Sequence, residues 1–158
     1  MAQYNPGEIF QFAIRIEESG EKFYRDKAES ITNEKIKALF NKLADDEADH
    51  KKTFEDMVSS IESYKPDESY PAEYFLYIRS YVDRAVFGDE KVQTEAAAVG
   101  SELAAVDFAL KVELLTILYY QEMKSFVAEG ERDKIEGIIA EERTHVIYLS
   151  GIKVELQK

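Results

Sequence analysis

The sequence predicts an all-α protein: a four-helix bundle made of two repeated helical hairpins, joined by a long helical crossover. Three observations carry this. First, the 158 residues are 45% hydrophobic and 33% charged, with only three prolines and seven glycines, a composition that favours long amphipathic helices over sheets. Second, four stretches carry an inward stripe whose steps alternate between three and four residues, the spacing of a core-facing helix seam. Third, the chain repeats itself. Ala13-Ile14-Arg15-Ile16-Glu17 with Phe23-Tyr24 matches Ala109-Leu110-Lys111-Val112-Glu113 with Tyr119-Tyr120, and Leu43, Glu47, His50 and Phe54 match Ile138, Glu142, His145 and Leu149. A length of 158 residues suits one domain with a substantial core, spanning 1–158.

The first helix should open at Asn5, with Pro6 at its first position and Glu8 three residues after the cap, and run to about Ser30. Its seam is Phe10, Ala13, Glu17, Gly20, Tyr24. A break at Ile31-Thr32 leads into a second helix, about 33–62, with the seam Phe40, Leu43, Glu47, His50, Phe54, Met57, Ile61.

The crossover, about 63–100, starts as a loop containing Pro66. A helix from Pro71 to about Phe87 follows, rich in aromatics (Tyr70, Tyr74, Phe75, Tyr77, Tyr81), and Gly88-Asp89 breaks it. The stretch from Glu90 to Gly100 reads as irregular helix. The aromatic stripe reads as packing across the bundle, or as the contact surface of a homodimer.

The third long helix begins near Ser101 and continues to about Glu129, ending at Gly130. Its seam is Val106, Ala109, Glu113, Thr116, Tyr120, Met123, Val127. The fourth, about 132–156, has the seam Ile135, Ile138, Glu142, His145, Leu149, Ile152, Leu156.

Several function classes are excluded or disfavoured. With no cysteine, the chain has no disulfide, iron–sulfur cluster or thiolate zinc site. A net charge of −12 without a basic patch makes nucleic acid an unsuitable partner. No apolar signal core or membrane-length run is present, so no membrane association and a soluble, cytoplasmic protein are expected.

Six polar residues remain at core positions: Glu17, Glu47, His50, Glu113, Glu142 and His145. Both histidines of the chain carry Glu three residues earlier, which places each pair on one helix face. One Glu from the first helix of each hairpin and one Glu-x-x-His from the second is the pattern of a carboxylate-bridged two-metal site in a bundle core. Glu47 and Glu142 are placed to bridge two ions, Glu17 and Glu113 to bind one each, and each His to bind one ion. Without metal, repulsion and desolvation should raise several carboxylate pKa values. The remaining acids, including Glu18, Glu21, Asp45, Asp46, Asp49 and Glu141, fall off the seam and read as solvated surface.

These residues resemble the ferritin-like superfamily, and most closely the rubrerythrin group of non-haem diiron proteins. The resemblance spans nearly the whole chain through the two copies of the pattern, with Tyr24 and Tyr120 following each first-helix Glu. It implies a ferritin-like fold and two iron ions that reductively activate hydrogen peroxide or dioxygen. Rubrerythrins carry a rubredoxin domain with four cysteines. This chain has none, so its electrons must come from an external donor such as a rubredoxin-like protein. Where rubrerythrins carry a further Glu ligand, this chain has Thr116, which makes the four-Glu, two-His set closer to that of bacterioferritins. The expected activity is therefore a peroxidase-type oxidoreductase, with a ferroxidase or iron-storage role as the alternative, although the short tail after His145 speaks against a mineral-storing cage. Iron suits imidazole and carboxylate ligands, and manganese is the alternative metal. Tyr24 and Tyr120 are expected to hold carboxylates in place, and Gly20 and Thr116 to leave room for the oxidant.

Overall fold

A computed structural model describes residues 6–61, 73, 76–78, 80 and 90–158. The α-helices whose bounds fall among the described residues are α1 (Pro6–Ser30), α2 (Glu34–Ile61), α3 (Glu90–Ala97), α4 (Glu102–Met123) and α5 (Glu129–Leu156). None of the described residues lies in a strand, and none of the described helices is long and apolar enough to cross a membrane.

Side chains cap the first turns of α2 and α4. After α1, Asn33 Oδ1 accepts hydrogen bonds from the backbone N–H groups of Lys35 (3.0 Å) and Ile36 (3.2 Å), capping α2. Ser101 caps α4 in the same way, accepting from Ala104 N at 3.1 Å. Glu102 Oε1, in the first turn of α4, accepts from Thr32 N and Asn33 N, both at 3.2 Å, and so ties the first turn to the second hairpin.

The second turn differs from the sequence expectation. α4 ends at Met123, not near Glu129; a 3₁₀ turn (Lys124–Phe126) and extended Val127 follow, and Gly130 lies in the first turn of α5. Phe126 and Val127 are buried, so the chain tightens and turns early in order to pack both inward. No glycine among the described residues has positive φ, so no glycine C-cap ends α4.

Ion pairs and hydrogen bonds fix the directions of the helices. Lys51–Glu18 (2.6 Å) and Arg25–Asp45 (3.0 Å) hold α2 antiparallel to α1, while Lys153–Asp107 (2.6 Å) and Lys124–Glu136 do the same for α5 and α4. Lys35–Glu155 (2.7 Å) sets α2 antiparallel to α5, and Tyr24–Glu113 with Tyr120–Glu17 sets α1 antiparallel to α4. Helices α2 and α4 consequently run parallel. Parallel neighbours in sequence cannot be joined by a tight turn, which is the physical reason for the long crossover.

Of the expected 71–87 helix, residues 73, 76–78 and 80 are helical, with Ile78 buried and Leu76 and Tyr77 exposed. The loop at 63–69, Tyr70, Tyr74, Phe75, Tyr81 and the Gly88-Asp89 break lie outside the described residues. The four seams face inward as the spacing requires: from Phe10 to Tyr24, Phe40 to Met57, Val106 to Val127 and Ile135 to Ile152 every seam residue is buried. Two apolar clusters form, one around Ile9, Phe10, Phe54, Tyr120 and Ile135, the other around Phe23, Tyr24, Phe40, Val106 and Leu149. Each large side chain in them contributes about 1.5–3 kcal/mol by burial. The six polar seam residues form the layer between.

Candidate metal centre

The polar layer is built by the seams alone. Glu17, Glu47, His50, Glu113, Glu142 and His145 are at most 3% exposed. Their side chains fall into two groups of four. Ligand atoms of Glu17, Glu47, His50 and Glu142 lie within 4.8 Å of one another, and so do those of Glu47, Glu113, Glu142 and His145. Glu47 and Glu142 belong to both groups. The structure thus brings together all six residues named from sequence, with Glu47 and Glu142 common to both groups.

Glu142 lies between the imidazoles, its Oε1 3.1 Å from His50 Nδ1 and its Oε2 2.9 Å from His145 Nδ1. The rings face each other with centroids 5.9 Å apart and planes 24° from parallel. None of these approaches has hydrogen-bond geometry. Glu17 Oε2, Glu47 Oε1, both Glu142 oxygens and both Nδ1 atoms are buried without a hydrogen-bond partner. A buried unpaired polar atom costs about 1–3 kcal/mol. Six of them converging on one centre, four from carboxylates and two from imidazoles, fit a pair of divalent ions as their common partner.

The outer oxygens of Glu17 and Glu113 are satisfied, in the same way in each copy of the repeat. Tyr24 Oη donates to Glu113 Oε1 and Tyr120 Oη donates to Glu17 Oε1, each reaching across to the other hairpin. Phe40 and Phe54 pack on these two rings, at centroid distances of 5.3 and 5.0 Å respectively, and fix their orientation. The expected support of the outer carboxylates by Tyr24 and Tyr120 is what the geometry contains.

Two residues read from sequence as solvated surface also reach the histidines from outside. His50 Nε2 lies 3.1 Å from Glu141 Oε2, and His145 Nε2 lies 3.1 Å from Asp46 Oδ2. With a metal bound, a carboxylate at Nε2 would hold the proton there and leave Nδ1 as the inward lone pair. Asp46 and Glu141 each sit one residue before a shared Glu, off their own seam but against the neighbouring antiparallel helix. The matching acids at these repeated positions were the signal, and only the packing of α2 on α5 gives it meaning. The two partners are unequal. Asp46 is 23% exposed and held by Lys42, whereas Glu141 is 61% exposed.

Gly20 also differs from expectation. A methyl group at its Cα would stand 2.7 Å from Glu47 Oε2, so the space left by the missing side chain is taken by a carboxylate of the site and not held open for an oxidant. Thr116, its counterpart on α4, is buried.

The layer holds protons where metal is absent. Burial, then the charges of Glu142, Glu17 and Glu113, raises the Glu47 carboxyl well above the usual range. Burial and Glu142 push Glu113 up to about 8, against the opposing pull of His145. At His50 burial favours the neutral ring, but Glu142 and Glu17 outweigh it and push the group up to about 12. At His145 Glu113 and Glu142 outweigh burial likewise, giving about 10. Burial acts to raise Glu142, yet the two imidazoliums beside it hold its carboxyl below the ordinary range. Burial and the adjoining carboxylates raise Tyr24 and Tyr120 well above 10, so both remain O–H donors.

Comparison with known proteins agrees with this geometry. The family model described as Rubrerythrin matches residues 8–153. The crystal structure of a protein from Thermotoga maritima, described as a ferritin-like diiron-carboxylate protein, superimposes with a TM-score of 0.74 at 30% sequence identity, covering 98% of each chain. No curated protein sequence matches significantly.

Proposed function

The chain belongs to the rubrerythrin family, and from that premise we propose that it is a non-haem diiron oxidoreductase that reduces hydrogen peroxide, or dioxygen, with electrons from a separate redox protein. The observation that carries the proposal is the pair of four-residue groups sharing Glu47 and Glu142, in which every residue but Glu113 has a buried atom without a hydrogen-bond partner. Glu17 and His50 would hold one ion, Glu113 and His145 the other, with Glu47 and Glu142 between them. Iron bound there would supply two electrons, the number that, with two protons, converts hydrogen peroxide to two molecules of water.

The chain's own residues set the conditions for that chemistry. Burial of all six donors excludes bulk water and admits only a small oxidant, which favours peroxide or dioxygen over an organic substrate. Tyr24 and Tyr120 hold the outer oxygens of Glu113 and Glu17, leaving Glu17 Oε2 free to face the centre. Asp46 and Glu141 keep Nδ1 of each imidazole directed inward.

The test is to add ferrous iron anaerobically to metal-free protein and then mix it with hydrogen peroxide or with dioxygen. Binding of two irons per chain and rapid oxidation of both by one equivalent of peroxide is the expected result. No binding, or binding without oxidation by either reagent, overturns the proposal.

A further inference from the structure

The two halves of the centre share their ligand types and their tyrosine supports. Tyr120 holds Glu17 and Tyr24 holds Glu113, and each half has one imidazole whose Nδ1 faces Glu142. On the outside they differ. His145 Nε2 meets Asp46 and His50 Nε2 meets Glu141, both at 3.1 Å, and the two acids occupy the same position of the repeat. Lys42, one turn before Asp46 on α2, makes an ion pair with it. The position matching Lys42 on α5 is Gly137, which has no side chain to offer. No lysine or arginine among the described residues pairs with Glu141.

That one difference changes how firmly each ring is held before metal arrives. Lys42 Nζ and His145 Nε2 meet the same oxygen, Asp46 Oδ2, so the lysine fixes the atom on which the ring rests. An exposed pair four residues apart adds little to stability, and its effect here is on where the carboxylate stands. Glu141 has one more rotatable bond than Asp46, no cation to hold it and solvent on most of its surface. It must give up that freedom each time it orients His50. A ring held in place by its outer partner binds metal more tightly than one that must first be ordered.

We infer that Lys42 is a positioning residue that makes the two half-sites unequal: the half of Glu113 and His145 takes the first metal ion, and the half of Glu17 and His50 takes the second and releases it first. This rests on the two-metal reading of the site. Because both ions are needed to deliver two electrons, the Glu141 side sets the metal concentration at which the centre is complete. The half clamped by Lys42 stays loaded below that concentration. Gly137 is where the inequality can be undone, since a Cβ added there meets nothing within 4 Å.

The experiment is histidine-ring NMR on the full metal-free chain titrated with zinc(II), a diamagnetic divalent probe. The chain has two histidines, so two ring signals report the two halves directly. Asp46→Asn identifies the signals of His145, and Glu141→Gln those of His50. At one equivalent of zinc the occupancy of the His145 half should exceed that of the His50 half by about 10-fold or more, the scale of an outer partner's effect, and at two equivalents both rings should be bound. Lys42→Ala should bring the ratio close to one by loosening the His145 half. Gly137→Lys places a lysine one turn before Glu141 and should lower the ratio by tightening the His50 half. That variant removes nothing from the protein, so its effect cannot come from damage to the fold. A His50 ring that fills first, two rings that fill in step, or a ratio unmoved by both variants overturns the inference and leaves the two-metal site standing. Two rings that stay metal-free at two equivalents overturn that site, and the inference with it.

Discussion

Gly20 lies against the Glu47 carboxylate so closely that a methyl group on it would stand 2.7 Å from Oε2. A real Cβ does not approach an oxygen that nearly, so a side chain here would require the buried Glu47 carboxylate to move. The absence of a side chain at position 20 is therefore part of how Glu47 reaches both halves of the centre.

Gly20→Ala should push Glu47 out of its shared position and leave one half-site short of a ligand. Cobalt(II) titration of the metal-free variant, followed by visible absorption, should show one tight ion per chain and a second weakened by about 10–100-fold, the scale of losing ligand support. The double variant G20A/E47D has a shorter carboxylate arm and should recover part of the second site. Unchanged binding of both ions in Gly20→Ala sinks this account.

Tyr24→Phe and Tyr120→Phe each leave one buried carboxylate oxygen without its donor. Each should cost about 1–3 kcal/mol of stability, the penalty of an unsatisfied buried group, read from denaturant unfolding of the metal-free protein. The reciprocal geometry, Tyr24 to Glu113 and Tyr120 to Glu17, predicts similar losses at the two sites. A loss confined to one tyrosine contradicts the symmetry.

For metal-free protein, stability should fall as pH rises from about 5 to 9, the interval bounded by ordinary carboxylate pKa values below. The folded chain keeps a proton on Glu113 up to about 8, and on His145 and His50 up to about 10 and 12, whereas the unfolded chain releases them earlier. More protons bound when folded means stability lost with rising pH. Glu142 works the other way, since its carboxyl is depressed, and contributes stability that is lost as pH falls below the ordinary carboxylate value. Thermal unfolding across this range should therefore show a maximum near the lower end, and Glu113→Gln should flatten the fall through pH 8.

Metal uptake displaces those same protons. Binding of divalent ions should release protons at pH 7 and tighten as pH rises, both measurable by titration calorimetry in buffers of different ionisation enthalpy. Uptake with no proton release would contradict a layer held together by protonated carboxyl and imidazolium groups.

The unequal outer partners of the histidines give a further contrast. Asp46→Asn should weaken metal binding by about 10–100-fold, because this acid is half-buried and held by Lys42. Glu141→Gln should cost less, because Glu141 is mostly exposed and solvent competes for its bond. Equal losses in the two variants would show that exposure does not set the strength of these contacts.

By itself, the sequence determined the four long helices, their inward seams and the six polar residues that meet between them. The reason is local: a period of three and four residues puts Glu47 above His50, and Glu142 above His145, whatever surrounds the helix. The repeat then paired the two copies without reference to distance. Contacts between helices were beyond that reach. Asp46 and Glu141 fall off their own seams, and only the antiparallel packing of α2 on α5 turns them toward the histidines. The space at Gly20 reads as an opening until the position of Glu47 shows it filled. The end of α4 followed the same rule: the glycine at position 130 signals a helix end, but burial of Phe126 and Val127 stops the helix earlier. Periodicity decides which face a residue takes, and tertiary packing decides which atoms from other helices it meets there.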